Sequence, residues 1–497
     1  MSTNQGVTSV EAQDGRRISG QVWGVVIVLI LGTFMAILDT TIVNVAIDPL
    51  AQDLHTKLVT IQWIVTGYIL SIAVVAPLTG WAASRFGTKR LYIGALVVFT
   101  VGSALCGLAP SAGLLIAFRV IQGLGGGAIA PVGQMMLVRV AGPRNLPRVM
   151  SAYGVPTILA PVFGPTVGGL LIVTAGWRSI FFVNVPIGII AVIAGFRRLP
   201  SERPEDARRA DLLGLGLAAT GLVGLTYGLS QVGSSREAFT HVALPIVGGV
   251  VLGSAFVLRS LLVRYPLLDM RLYANKIFAG ASLATLSLGG ALVGNSILMP
   301  LYLQTLRHQD ALHTGMLVAP RGVGATVGTW LSGRMMERLG TGPTAAIGCA
   351  SVLAFTVPFV TLGGQTSFTF ICLIQLVQGV GIGISIMPAM TAAYRALRPE
   401  QINDATPQLN IIMRVGSSAG TAILIAILAH GLNGAGRSTP DHANAFATTF
   451  GWLTAMTAVA TIAALFLALL ERRHAHVLPA GDSGLQVAAE LEGDPSG

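Results

Sequence analysis

Gly80-Trp81-Ala82-Ala83-Ser84-Arg85-Phe86-Gly87 returns 253 residues later as Gly333-Arg334-Met335-Met336-Glu337-Arg338-Leu339-Gly340, each copy reading glycine, four residues, arginine, one residue, glycine. Each copy closes an apolar run of helical length. A second pair keeps the order: Gln122-Gly123-Leu124-Gly125 and Gln378-Gly379-Val380-Gly381 lie 256 residues apart, two apolar runs after the loop copies. One short match arises easily by chance, but two in the same order at nearly one offset mark an internal duplication.

Outward from these copies, apolar runs fall at 22–47, 61–82, 91–109, 113–138, 149–174, 179–196, 212–231, 241–261, 277–302, 313–333, 343–364, 368–393, 403–430 and 445–469, fourteen in all. A membrane-crossing helix needs about 20 apolar residues. The first run is too long for a signal-peptide core and reads as an uncleaved span. The 497 residues are 53% apolar and 10% charged, whereas a soluble domain is roughly a quarter charged, so a soluble multidomain enzyme is excluded. Cys106, Cys349 and Cys372 all sit in apolar runs, with no spacing that suits a disulfide framework or a zinc site. The repeat offset covers eight runs, so six helices duplicate and two, at 212–231 and 241–261, are inserted between the copies.

The expected fold is an all-α integral membrane protein with 14 transmembrane helices. A tail (1–21) leads into a six-helix bundle (22–198), a linker with the inserted pair (199–264), a second bundle (265–470) and a polar tail (471–497) predicted to be disordered. Two parallel repeats around a midplane cavity are the architecture of alternating-access transporters.

The net charge of +10 sets nucleic-acid binding against membrane topology, and position decides between them. With the N-terminus inside, 23 of the 31 Lys and Arg lie on inner segments, from Arg16 and Arg17 through Arg203, Arg208 and Arg209 to Arg472 and Arg473. Only Lys57, Arg178, Arg236, Arg307 and Arg437 lie outside, and Arg119, Arg321 and Arg414 fall within runs. That asymmetry places both termini in the cytoplasm and leaves no basic surplus for nucleic acid. Arginine outnumbers lysine 28 to 3, which suits a GC-rich bacterial genome.

Several stretches resemble the major facilitator superfamily, and within it the 14-span drug:proton antiporters, over most of the chain. Leu38-Asp39-Thr40-Thr41-Ile42-Val43-Asn44-Val45-Ala46 resembles that subfamily's first-helix motif, and Gly80 to Arg90 the superfamily's loop motif. Arg119-Val120-Ile121-Gln122-Gly123 resembles the fourth-helix motif, and Gly154 through Gly164-Pro165-Thr166-Val167-Gly168-Gly169 the antiporter motif. Trp177, Arg178, Phe181, Asn184, Pro186 and Gly188 match the run that follows it. In one departure, Ser84 stands where the loop motif carries an acid, although the second copy has Glu337. The resemblance implies multidrug efflux of hydrophobic or amphipathic small molecules across the bacterial cytoplasmic membrane, and with it antibiotic resistance. It further implies that the proton gradient drives transport without any cofactor, with membrane lipids as surroundings and a periplasmic adaptor where the cell has two membranes. A dedicated exporter of one metabolite, such as an antibiotic, fatty acid or siderophore, is the alternative. A membrane receptor or enzyme is the distant one, since no catalytic constellation is present.

Of 21 Asp and Glu, Asp39 alone falls deep inside a run, where a charge costs about 3 kcal/mol or more unless it is paired or wet. A carboxyl that is desolvated as a cavity closes and rehydrated as it opens changes its proton affinity, as a proton-coupled exchanger requires. Arg119, in the same bundle, is its nearest counter-charge, and making and breaking that pair can gate protonation. A permanent ion pair that only locks the bundle is the rival reading. Asp404 is the second candidate for coupling. Thr40 and Asn44 beside Asp39, Gln122 beside Arg119, and Arg321 and Arg414 in the second half are the candidates for lining the cavity. One acid against three bases favours neutral or weakly anionic amphiphiles over dications, unless Arg321 or Arg414 bonds backbone carbonyls.

For conformational exchange the candidates are the glycines and prolines from Gly154 to Gly169, which should kink their helix and let it pack closely, and the loop residues Gly80, Arg85, Gly87, Gly333, Arg338 and Gly340. Gly123 to Ala128 fits a dinucleotide fingerprint as a string, but no strand or following acid supports it. The eight histidines form no metal cluster, and no Walker A pattern exists to hold ATP.

Overall fold

The computed structural model describes residues 18–201, 211–232, 239–434 and 439–477. Among them every regular element is helical, because lipid offers no partner for backbone N–H and C=O groups and a helix satisfies them within itself. The first half comprises α1 (Gly20–Val45), α2 (Ile47–Asp53), α3 (Leu58–Val75), α4 (Leu78–Phe86), α5 (Thr88–Gly107), α6 (Ala112–Ala175), α7 (Ser179–Phe182) and α8 (Asn184–Arg198). The inserted pair is α9 (Leu212–Ser230) and α10 (Leu244–Leu262). The second half comprises α11 (Lys276–Leu301), α12 (Ala311–Leu339), α13 (Thr341–Thr356), α14 (Phe368–Arg395), α15 (Ile402–Gly434) and α16 (Thr439–Val477). Arg16, Arg17, Arg203, Arg208, Arg209, Arg236 and Arg437, with most of both tails, lie outside the described residues.

Eleven of these helical stretches are long and apolar enough to cross a membrane, or twelve when α3 and α4, bent by 57° at Pro77, count as one. Two features separate that count from the fourteen runs. The runs at 113–138 and 149–174 are joined in one helix, α6, whose only non-helical residue is Gly142 (φ 63°, ψ 168°). α12 is long enough but diluted by Arg321 and its many Gly and Thr residues. The segment from Gly154 to Gly169 keeps helical backbone angles through Pro156, Pro161 and Pro165, and the break in backbone angles falls at Gly142, where glycine takes a positive φ cheaply.

α1, α3 and α5 pack on α6, with α8 against α1 and α5, in one bundle, while α11 to α16 pack among themselves in the other. The duplication is visible in the backbone. Gly87 (φ 81°) ends α4 and Gly340 (φ 94°) ends α12, and each leads straight into the next helix. A side chain at either position would strain a conformation that favours glycine.

α9 and α10 pack backbone to backbone: a Cβ on Gly221 would lie 3.1 Å from Gly253 N, and one on Gly249 2.6 Å from Leu225 N. α9 meets the first bundle through Trp63 stacked on Tyr227, with ring centroids 6.2 Å apart. Asp211 ties the pair at one end, accepting from Gly214 N (2.9 Å) at the start of α9 and from Arg259 Nη2 (2.7 Å) and Nε (3.0 Å) on α10. Burial alone pushes the Asp211 carboxyl up, but Arg259 and the Gly214 N–H outweigh it and hold it below its ordinary value. A depressed folded-state pKa means this contribution is fully present above the ordinary carboxylate range and is lost only as pH falls through the lowered value. Asp211→Ala removes cap and ion pair together and should cost about 2–3 kcal/mol locally. Hydrogen exchange is expected to rise in the first turn of α9 while α11 to α16 stay protected, and an unchanged exchange pattern would show the tie to be idle.

Candidate functional site

Asp39 sits on the face of α1 turned into its own bundle, with 1% of its surface exposed. Arg119 of α6 donates from Nη1 to Asp39 Oδ2 at 2.6 Å and to Gln122 Oε1 at 2.9 Å, and from Nε to the Ile64 carbonyl at 3.2 Å. Its guanidinium lies 4.0 Å above the centroid of the Tyr68 ring. The other carboxylate oxygen, Asp39 Oδ1, accepts from Gln122 Nε2 (3.0 Å) and Asn184 Nδ2 (2.9 Å). Asn184 Nδ2 also donates to Ser103 Oγ (3.1 Å), whose hydroxyl donates to the Phe181 carbonyl (2.9 Å). Side chains from α1, α3, α5, α6 and α8 therefore converge on one ion pair.

The chemistry follows from that closure. A proton on Asp39 cancels the charge that compensates Arg119, and a buried uncompensated guanidinium costs several kcal/mol. Proton uptake must therefore come with rearrangement or wetting of this cluster. Asn184 and Ser103 escaped the sequence reading as ligands of the carboxylate, although Asn184 is the lone amide in the run 179–196 and stood in the resemblance.

The second bundle holds an uncharged counterpart. Asn295 follows Asp39 by 256 residues, Gln375 follows Arg119 by 256, and Gln378 follows Gln122 by 256. Asn295 Nδ2 donates to Gln378 Oε1 (2.9 Å), and Gln378 Nε2 to Thr356 Oγ1 (2.8 Å), with Thr356 placed 253 residues after Ser103. Gln375 Nε2 donates to the Leu317 carbonyl (2.9 Å), as Arg119 Nε does to that of Ile64, 253 residues earlier. The same framework is built twice, once around a carboxylate and guanidinium and once around amides.

Polar contacts between the bundles gather at the end that carries the repeated loops. Asn403 of α15 donates to Ser84 Oγ (2.9 Å) and accepts from Arg139 Nη2 (2.9 Å), and a Cβ on Gly80 would lie 2.5 Å from the Asn403 carbonyl oxygen. At the related position a Cβ on Gly333 would lie 3.0 Å from Ser151 Cβ, while Arg148 pairs with Glu337. Where the first loop copy has Ser84 in place of an acid, a neutral hydrogen bond to Asn403 does what an ion pair does at Glu337. Gln134 accepts from Asn410 Nδ2 (2.7 Å) and Tyr394 Oη (3.3 Å) just above this contact. At the far ends of the same helices, Phe163, Leu170 and Val173 on α6 and Leu312 and Met316 on α12 are exposed.

The remaining predicted residues divide. Gly154 packs against Met387 and Thr329 of the other bundle, Gly164 against Thr41 and Gly168 against Ile42, whereas Gly169 faces open space. Pro165 continues α6 between them. Arg85 and Arg338 are exposed, Arg85 beside Asp211, Glu400 and Asp404 in a cleft at the joined end, away from the Asp39 cluster. Gln122 belongs to the buried cluster and has no exposed surface to offer a cavity. Thr40 turns its hydroxyl back to the Ile37 carbonyl (2.6 Å), and Asn44 is exposed near the end of α1. Arg321 is buried and bonds Ser296 Oγ and the Leu292 carbonyl, both at 3.0 Å, while Arg414 is exposed.

Gly80→Val places branched carbon against a backbone carbonyl that cannot swing aside, and should pry the joined end open. Spin labels at Arg144 and Arg338, exposed on opposite bundles, are expected to show a longer distance population. Gly333→Ala, which meets a side chain instead, should shift it less. Identical distances in all three proteins would show that these glycines do not set the closure.

The model of the Major Facilitator Superfamily matches residues 29–421. The chain is 38% identical over 410 residues to the Multidrug resistance protein B homolog of Mycobacterium tuberculosis strain H37Rv, covering 82% of this chain and 76% of that one. It is 31% identical over 402 residues to the Multidrug export protein EmrB of Haemophilus influenzae, covering 80% and 78%. Among solved structures it superposes on the human organic anion transporter MFSD10 with a TM-score of 0.61, at 15% identity, over 90% of this chain and 100% of that one. At that identity the likeness is one of fold alone.

Proposed function

The chain belongs to the major facilitator superfamily, and from that premise we propose that it is a proton-coupled exporter of hydrophobic and amphipathic small molecules, exchanging them for protons by alternating access. Membership makes it a multi-pass secondary transporter rather than an enzyme. The observation that carries the coupling is the buried pair of Asp39 and Arg119 at 2.6 Å: among the described residues it is the one carboxylate enclosed within a spanning helix, and it can neither gain nor lose a proton without disturbing its neighbours. Relatives named for multidrug resistance and export support the direction of transport and the breadth of substrates.

We read the two halves of α6 as separate passes and α12 as one, for fourteen spans in all, an even number that leaves both termini on one side. The arginine bias supports reading that side as the cytoplasm, with the protein in a bacterial inner membrane. On this reading the joined end is cytoplasmic and the conformation is closed toward the cytoplasm. Conformational exchange would break the Asn403, Gln134 and Glu337 contacts while wetting or drying the Asp39 cluster.

Purified protein in liposomes, acidic inside and loaded with a pH dye, tests this directly. Adding amphipathic compounds outside is expected to drive protons out of the lumen, with broad response across a panel. Proton loss that no compound triggers would overturn the reading.

A further inference from the structure

We propose that Arg414, exposed on the face of α15 turned to the other bundle, binds an anionic group of the substrate, so that the preferred cargo is an amphiphile bearing a single negative charge. This rests on the exporter reading above and narrows its substrate class. Arg414 lies four residues beyond Asn410 on α15, hence on the same helix face one turn higher. Asn410 is the residue that reaches across to Gln134 at 2.7 Å, so the face that carries both is the one turned to the other bundle. The backbone around Arg414 packs elsewhere: the Met413 carbonyl faces Gly289, and Gly416 faces Leu286, both on α11. Arg414 is exposed, while Met413 and Gly416 beside it are packed on α11.

The other two cations deep inside the spans of the two bundles are already occupied. Arg119 is neutralised by Asp39, and Arg321, 8% exposed, is satisfied by Ser296 and the Leu292 carbonyl. No carboxylate among the described residues pairs with Arg414. A guanidinium presents a planar fork of donors that matches carboxylates and sulfonates, and in a partly dry cavity it attracts them strongly. The related position in the first bundle is apolar. Ile158 precedes Arg414 by 256 residues, one turn above Gly154 as Arg414 is above Asn410, and is half-buried at the corresponding place on α6. One bundle carries a cation where its counterpart carries a branched hydrocarbon.

A matched pair of probes separates charge from scaffold: 8-anilinonaphthalene-1-sulfonate, a permanent monoanion, and N-phenyl-1-naphthylamine, the same rings without the sulfonate. In the liposome assay the wild type is expected to prefer the sulfonate at least tenfold in kcat/KM. Arg414→Gln should lose at least tenfold for the sulfonate while keeping the neutral amine, which also reports that the variant is folded, and Arg414→Lys should recover part of the loss. Proton loss driven by the amine but not the sulfonate in wild type, or a sulfonate response that Arg414→Gln leaves intact, overturns the assignment and spares the exporter. Silence of both probes and of the wider panel is the failure of the exporter reading itself.

Discussion

Asp39→Asn is expected to lower substrate-driven proton release more than 100-fold while leaving substrate-for-substrate exchange measurable. The substitution keeps the shape that Gln122 and Asn184 grip at 3.0 and 2.9 Å and removes the only proton-binding atom pair in the cluster. Coupling requires that the carboxyl meet water on one side of the membrane with one affinity and on the other side with another, and an amide has no affinity to change. The second bundle shows that an amide fits this framework, since Asn295 bonds Gln378 at 2.9 Å in the corresponding place. Loss of proton movement with retained exchange therefore reports chemistry. Proton release that survives in Asp39→Asn would move coupling elsewhere, with Asp404 at the start of α15 the next residue to replace.

The parts of this site that carry charge or break a pattern were legible in the sequence. Asp39 and Arg119 stand out because intramembrane charge is expensive, and Gly80 and Gly333 because the same spacing occurs twice. The amide framework around Asn295 and Gln375 carries no charge and so drew no notice, although the offset of 256 residues that relates Gln122 to Gln378 leads directly to it. Asn403 was hidden for another reason: its partners Ser84 and Arg139 lie 319 and 264 residues away, and nothing local marks an asparagine as the meeting point of two bundles. In α6, proline and glycine do not mark where the backbone leaves helical angles, which happens at Gly142. Pro156, Pro161 and Pro165 are absorbed by the helix, since neighbouring helices can satisfy the freed carbonyls. Arg321 and Arg414 look alike as letters and differ only in what surrounds them.

The amide framework also predicts how the charged one can be dismantled. Arg119→Gln alone leaves Asp39 buried at 1% exposure without its counter-charge, which should cost about 3–5 kcal/mol and markedly lower the melting temperature in detergent. Asp39→Asn alone strands Arg119 in the same way, softened by the Ile64 carbonyl and Gln122 that it still reaches at 3.2 and 2.9 Å. The double variant Asp39→Asn with Arg119→Gln writes the second bundle's solution into the first, with the introduced glutamine able to reach the Ile64 carbonyl as Gln375 reaches that of Leu317 at 2.9 Å. It should recover most of the stability lost by Arg119→Gln and none of the proton coupling. A double variant no more stable than the worse single one would mean that the pair is not what holds these helices together. Recovery of stability without coupling would separate the two roles, because a framework that folds equally well around amides holds its carboxylate for function and not for packing.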